Sequence, residues 1–164
     1  MTTIDKRAVL EQLRADVARA LEVMVQAAES ARDAATHEES KPENDKDTRG
    51  LEAGYLAGAQ AARAAELKST LQQLSELEPR AFGPEDPIRA LALVELVDTD
   101  TDATLRVFLS PVGGGLKVKV QGALVQVVTP RSPLGDALMG KRAGDLVEVT
   151  AGPRTRELEV TAVF

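Results

Sequence analysis

Neither cysteine nor tryptophan occurs in this chain of 164 residues, and the aromatic complement is one tyrosine and three phenylalanines. Lack of cysteine excludes disulfides, thiolate zinc sites and cysteine nucleophiles, and suits a reducing compartment. Scarcity of aromatics excludes a base-stacking platform, so a core must be built from Leu, Val and Ala within the 43% of residues that are hydrophobic. No run approaches the roughly 18 apolar residues of a membrane span. The opening Met1-Thr2-Thr3-Ile4-Asp5-Lys6-Arg7 has no apolar signal segment. These absences predict a soluble, cytoplasmic, monomeric protein with no membrane partner.

What is present is a long helical repeat. Eight pairs of positions, Leu10/Leu74, Leu13/Leu71, Val17/Leu67, Ala20/Ala64, Met24/Gln60, Ala27/Ala57, Ala31/Ala53 and Ala34/Gly50, each sum to 84. Steps within each arm alternate between three and four, as in the a/d seam of a coiled coil. A constant sum across the arms is the mark of an antiparallel hairpin. The spacing predicts one helix from about 5 to 36 and another from about 47 to 77, with the fold-back at residue 42. Pro42 occupies that point, and a proline there forbids a continuous helix. Leu and Val dominate the seam at the base, whereas Ala and Gly take over toward the tip, so the arms can approach below the usual ~8–10 Å and the rod narrows.

Charge is concentrated in that rod. Residues 1–78 hold 15 acids against 10 bases, and the stretch Glu38–Asp47 holds five acids and two lysines out of a chain net charge of −6. Free duplex DNA would be repelled, because nucleic-acid affinity comes mainly from cations that neutralise phosphates. His37, the sole histidine, reads as a helix C-terminal neighbour favoured by the dipole.

Residues 79–87 carry three prolines and a glycine, and they read as a linker between a hairpin at 1–78 and a second domain at 88–164. Beyond it the period changes to two. Leu105, Val107 and Leu109, Val118 and Val120, and Leu158, Val160 and Ala162 alternate with polar or outward neighbours, and apolar runs at 88–97, 123–128 and 146–149 raise the total to five or six short strands. Turn residues at 98–102, 111–115 and 152–153 favour an antiparallel sheet. Ser132 can cap a short helix, Pro133 can open it and Gly140 can end it. An α+β module follows. Asp98-Thr99-Asp100-Thr101-Asp102 imitates a calcium loop, but its sixth position is Ala103 and its twelfth is Leu109, so it reads as a turn. Gly113-Gly114-Gly115 lacks a following Lys-Ser/Thr and is no phosphate loop.

A thin hairpin with an acidic tip, a proline-rich joint and a small sheet domain containing Ser132-Pro133-Leu134-Gly135-Asp136-Ala137-Leu138-Met139-Gly140-Lys141-Arg142-Ala143-Gly144-Asp145-Leu146-Val147-Glu148-Val149 resembles the Gre transcript-cleavage factors of bacterial RNA polymerase. The resemblance covers nearly the whole chain. It implies an FKBP-like C-terminal domain docked on the polymerase rim, here through Ser132, Pro133 and Leu134, and a hairpin inserted into the secondary channel. It also implies two tip carboxylates that share the second catalytic Mg²⁺ of the polymerase, with no cofactor held stably by the chain and no enzyme activity of its own. The family's tip has an aspartate followed three residues on by a glutamate and an asparagine. Glu43-Asn44 matches the second element, and Glu39 stands for the first with one extra residue between them; Glu38/Glu43 and Glu43/Asp45 stay open as alternatives. Arg32, Arg49 and Arg63 match a basic patch near the RNA 3′ end. Phe82, Phe108 and Phe164 are too few to line a prolyl-isomerase pocket, and the FKBP-like fold does not by itself license that activity. Two roles are open: a factor that stimulates cleavage of backtracked RNA, and a non-catalytic regulator that occupies the same channel.

Overall fold

The computed structural model describes residues 4–36, 43 and 48–164. Two long helices, α1 (Lys6–Thr36) and α2 (Arg49–Ser75), precede six strands and one short helix: β1 (Leu93–Asp98), β2 (Thr104–Leu109), β3 (Lys117–Val120), β4 (Ala123–Val128), α3 (Pro133–Leu138), β5 (Leu146–Ala151) and β6 (Arg154–Val163). The chain divides into two compact units. One holds residues 14–75; the other holds 4–13 together with 76–164.

The helical unit is a hairpin. Asp5 starts α1 by accepting the Arg7 N–H at 2.9 Å, as an N-capping side chain does. Thr48 precedes α2, its carbonyl accepting the Glu52 N–H at 2.9 Å. Near the base, Arg14 Nε donates to the Leu74 carbonyl at 2.9 Å, occupying an acceptor that the end of α2 leaves open. On α2 the predicted stripe Gly50, Ala53, Ala57, Gln60, Ala64, Leu67, Leu71 and Leu74 is buried or half-buried throughout, and Ala61 and Thr70 beside it are half-buried as well. On α1 the stripe drifts. Val17 is buried, but Ala20 is exposed and Leu21 is covered in its place; Ala28 is more buried than Ala27, and Ala35 is covered where Ala34 is exposed. A straight α-helix repeats every 3.6 residues and falls behind a strict 3.5-residue seam by ~20° per heptad. Along α1 that lag moves every second covered position by one residue, while Met24 and Ala31 stay covered where the strict repeat puts them.

In the other unit the strands order as β3-β4-β2-β1-β6-β5. All pairs are antiparallel except β2 with β4, which run parallel through Val107/Gln126, Phe108/Val127 and Leu109/Val128. The expected antiparallel sheet is therefore mixed. After β2 the chain passes outward through 110–116 and returns as the β3–β4 hairpin, whose second strand slots in beside β2 with the same direction.

One face of the sheet carries Val94, Leu96, Val107, Leu109, Val128, Val147, Leu158 and Val160, which pack with Leu138 of α3 and with Ile88. Leu93, Phe108, Val118, Val125 and Val127 are buried on the other face. The start of α1 belongs to this unit as well: Val9, Leu10 and Leu13 are at most 1% exposed, and a Cβ on Gly113 would lie 3.9 Å from both Leu13 δ-carbons. The proline-rich segment is equally tied in. Gly83 N–H donates to Asp86 Oδ2 at 2.7 Å, the Glu85 carbonyl accepts from Arg142 Nε at 3.0 Å, and Phe82 packs on the core. Ile88 forms no strand with 93–98; its N–H donates to the Lys141 carbonyl at 2.7 Å and its carbonyl accepts from Gly140 at 2.8 Å. Among the described residues no helix is long and apolar enough to cross a membrane.

Candidate functional site

The segment 129–140 is built around Ser132. With φ −71° and ψ 156° it stands just outside α3, its Oγ accepting the Gly135 N–H at 3.1 Å and donating to the Thr129 carbonyl at 2.8 Å. Pro133 takes the first helical position, where a missing N–H costs nothing. Gly140, at φ 80°, turns the chain after the helix. These are the roles that their residue types predict. The position that sequence reasoning missed is Gly135. A Cβ there would lie 1.9 Å from the Thr129 carbonyl oxygen, so no other residue fits without moving the backbone. A glycine in the first turn of a short helix is the signal that could have exposed it, since helix propensity alone argues against one there.

The locked segment presents Pro133 exposed and Leu134 half-buried against the core. Together with the floor of β4 and the β5–β6 turn it walls an open groove of about 670 Å³, lined by Val127, Val128, Leu134 and Val149 among apolar groups and by Gln126, Thr129, Ser132 and Thr150 among polar ones. Apolar walls with a few fixed hydrogen-bonding groups suit recognition of another surface. In the far wall, 149–152, the sequence marks Val149 as the end of a strand and Gly152 as a turn, with no docking role for either.

Residues 94–164 match the family model described as the C-terminal domain of transcription elongation factors GreA and GreB. Residues 94–164, the C-terminal part of the chain, are thus similar to that domain of the Gre factors. It is 33% identical over 104 residues to the transcription elongation factor GreA of Sulfurovum sp. (strain NBC37-1), a match covering 62% of this chain and 60% of that one. It is 28% identical over 100 residues to the GreA of Aliarcobacter butzleri (strain RM4018), covering 61% and 58%. The match thus spans about three fifths of the length of these GreA relatives. Among solved structures it is similar to GreA factor homolog 1 (Gfh1) of Thermus thermophilus, with 23% identity, a TM-score of 0.40 and coverage of 92% of this chain and 94% of that one.

In the helical unit the tip chemistry rests on few described atoms. Glu43 is 80% exposed, and its Oε1 lies 3.7 Å from an Arg49 guanidinium nitrogen. An exposed pair of that kind contributes at most about 1 kcal/mol. Glu38, Glu39, Asp45, His37 and Pro42 lie outside the described residues. Arg49 begins α2 beside Glu43, whereas Arg63 is paired with Glu66 at 3.0 Å further along, so the structure brings only one of the three arginines to Glu43. Arg32 is exposed near the end of α1.

Among the described residues Asp98 is the acid whose surroundings shift it clearly. It is buried, its carboxylate accepts the Asp100 and Thr101 N–H groups at 3.1 Å each, and Arg156 closes on it at 2.6 Å. The Arg156 hydrogen bond, outweighing burial, holds this carboxyl below the ordinary value of 3.8. The segment 98–102 is a turn organised around one acid, with Asp102 in the left-handed region at φ 57°.

Proposed function

We propose that this chain is a Gre-type transcription elongation factor. On this reading the C-terminal domain binds the rim of RNA polymerase, the hairpin enters the secondary channel, and the tip lends carboxylates to Mg²⁺-dependent cleavage of backtracked RNA. The observation that carries the reading is the match of residues 94–164 to the GreA/GreB C-terminal domain. The factor is not itself an enzyme. Its partners are the polymerase and, indirectly through Arg32 and Arg49, the RNA 3′ end, and free DNA is not among them.

The groove beside Ser132, Pro133 and Leu134 supports docking. Its shape is fixed by the Ser132 cap and the Gly135–Thr129 contact, so little ordering is left to be lost on binding.

For the chemistry, Glu43 is an exposed hard oxygen donor, the type that Mg²⁺ accepts beside waters and phosphate oxygens. On the resemblance to the Gre factors, such an ion is shared with the polymerase rather than resident in this chain. When bound by polymerase, such an ion lowers the pKa of a coordinated water and neutralises charge on the phosphate. The part played by this chain is to place Glu43 and, on the sequence match, Glu39 where they complete that ion's ligands. Arg49 lies near Glu43, at 3.7 Å, as a weak exposed ion pair.

The test is a stalled bacterial elongation complex with end-labelled RNA. Wild-type protein shortens the RNA in a Mg²⁺-dependent manner, while Glu39→Ala and Glu43→Ala bind polymerase and do not. A second reading, a regulator that occupies the channel without promoting cleavage, is favoured by the engagement of Glu43 with Arg49. It takes over if wild-type protein shortens no RNA at any Mg²⁺ concentration yet still slows elongation.

A further inference from the structure

The groove beside Ser132 and Leu134 does not end at its walls. Gln126 lines it, and by register Gln126 stands next to Lys117 on β3, while Leu124 stands next to Lys119. Val107, the neighbour of Gln126 on β2, belongs to the core face, so Lys117, Lys119 and Leu124 lie on that same face of the sheet. Here the face is open. Leu124 is 56% exposed, and both lysines are exposed.

Further cations edge the groove. Arg154 stands opposite Ala151 of the far wall, and Arg131 is exposed in the turn between Thr129 and Ser132, which both line the groove. Among the described residues none of these lysine and arginine side chains has a hydrogen bond or ion pair. The acids of the strands stand elsewhere. Glu95, Glu148, Glu157 and Glu159 fall on the opposite face, by alternation with Val94, Val147, Leu158 and Val160, and Asp98 is closed by Arg156. Asp136, exposed on α3, is the acid that the 129–140 segment contributes. A chain of net charge −6 thus carries a local cationic rim around an uncharged, largely apolar hollow.

Lysines on an edge strand guard it against pairing with another chain. That role accounts for Lys117 and Lys119, but it leaves Leu124 uncovered beside them. We infer that the docking surface continues from the groove onto the β3–β4 hairpin, and that the polymerase element seated there is acidic. An apolar side chain of that element enters the groove and another part covers Leu124, while carboxylates around them meet Lys117, Lys119, Arg131 and Arg154. This rests on the elongation-factor reading above and adds to it the sign of the partner's charge and the part played by β3 and β4. Nucleic acid is the poorer occupant, since the groove holds no aromatic side chain on which a base could stack, and Phe108 is buried within the sheet. The rim cations act mainly on encounter and orientation, and the apolar contacts on residence.

The test is binding of the fluorescently labelled full-length protein to bacterial core RNA polymerase at about 50 and about 300 mM KCl. Wild-type affinity is expected to fall about 10-fold between the two as the rim charges are screened. Lys117→Glu combined with Lys119→Glu should weaken binding about 10-fold at the lower salt and remove most of the salt dependence, with an unchanged thermal midpoint because both residues are exposed. Leu124→Ser should weaken binding by the same factor at both salt concentrations. Titrated without polymerase, polyglutamate should bind the wild type but not the double variant, and single-stranded RNA of equal charge should bind more weakly than polyglutamate. An affinity for polymerase that the double variant leaves unchanged would overturn this inference while upholding the function proposed above. Tighter binding of RNA than of polyglutamate would overturn the acidic-protein occupant. Absence of any polymerase binding by the wild type would overturn the elongation-factor reading itself, and this occupant with it.

Discussion

Gly135 has a tighter backbone contact than any other glycine of the sheet unit. Its α-carbon lies so close to the Thr129 carbonyl that a methyl group would sit at 1.9 Å from the oxygen, and the blocking atom belongs to backbone rather than to a side chain that could swing away. Gly135→Ala should therefore cost about 3 kcal/mol or more, at the upper end of single substitutions, and be visible as a lowered urea midpoint. The neighbouring Ser132→Ala loses one cap and should cost about 1 kcal/mol. Asp98 offers a test by pH. Its carboxyl is depressed in the fold and reverts to 3.8 in the unfolded chain, so the unfolded state binds more protons in the window below 3.8. The stability that it contributes is complete above that value and is lost as pH falls through the lower, folded pKa. Replacing Asp98 by Asn should weaken the protein at neutral pH and flatten the acid side of its stability curve, as read by denaturant melts from pH 2 to 6. Ser132, Pro133 and Gly140 were legible in the sequence because each acts through its own local chemistry. Gly135 and the Asp98–Arg156 pair were not, since their partners are chosen by the tertiary fold.

For the helices, legibility depended on the arm. The α2 stripe is readable residue by residue, because Gly50, Ala53, Ala57, Gln60, Ala64, Leu67, Leu71 and Leu74 follow alternating steps and all are covered. On α1 a strict alternation chooses Ala20, Ala27 and Ala34, whereas the real helix covers Leu21 in place of Ala20 and Ala35 in place of Ala34, and buries Ala28 more than Ala27. Alanine-rich helices hide such a shift, since neighbouring candidates are the same residue. A charge scan reads it directly. Ala20→Glu should leave the unfolding free energy within about 0.5 kcal/mol of wild type, as exposed substitutions do, whereas Ala28→Glu buries an unpaired carboxylate and should cost about 3 kcal/mol or more. If Ala20→Glu is the more damaging of the two, the seam follows the strict repeat. In the sheet, alternation revealed the strands but not their directions. The parallel β2–β4 pair arises from where the β3–β4 hairpin inserts, and period-two patterning carries no information on that. The groove was half readable for the same reason. Its 132–134 wall has a local signature, and its 149–152 wall is brought in by the β5–β6 turn.

At the scale of the whole molecule, the proposed function divides between two units that act at different steps. Docking through the C-terminal groove sets how much factor is bound, whereas tip carboxylates act only after the hairpin has reached the polymerase active centre. Leu134 is a poor handle on docking because it packs on the core, so Leu134→Asp would unfold the domain as well as alter its surface. Ala151 is exposed on the opposite wall, and Ala151→Arg fills the groove from the solvent side at little cost to the fold. It should raise the factor concentration needed for half-maximal cleavage by about 10-fold and leave the maximal rate unchanged. Glu43→Ala should do the reverse. Exposed loop acids change stability by less than about 0.5 kcal/mol when replaced. Loss of a metal ligand in the step that generates the attacking hydroxide removes several kcal/mol of transition-state stabilisation, on the order of 10²-fold in rate. Binding would be unaltered. Because the two substitutions touch different steps, the double variant should show both effects multiplied, a higher half-maximal concentration and a lower maximal rate. A Glu43→Ala protein that cleaves at the full rate once saturating would remove Glu43 from the chemistry, and an Ala151→Arg protein with unchanged half-saturation would remove the groove from the interface.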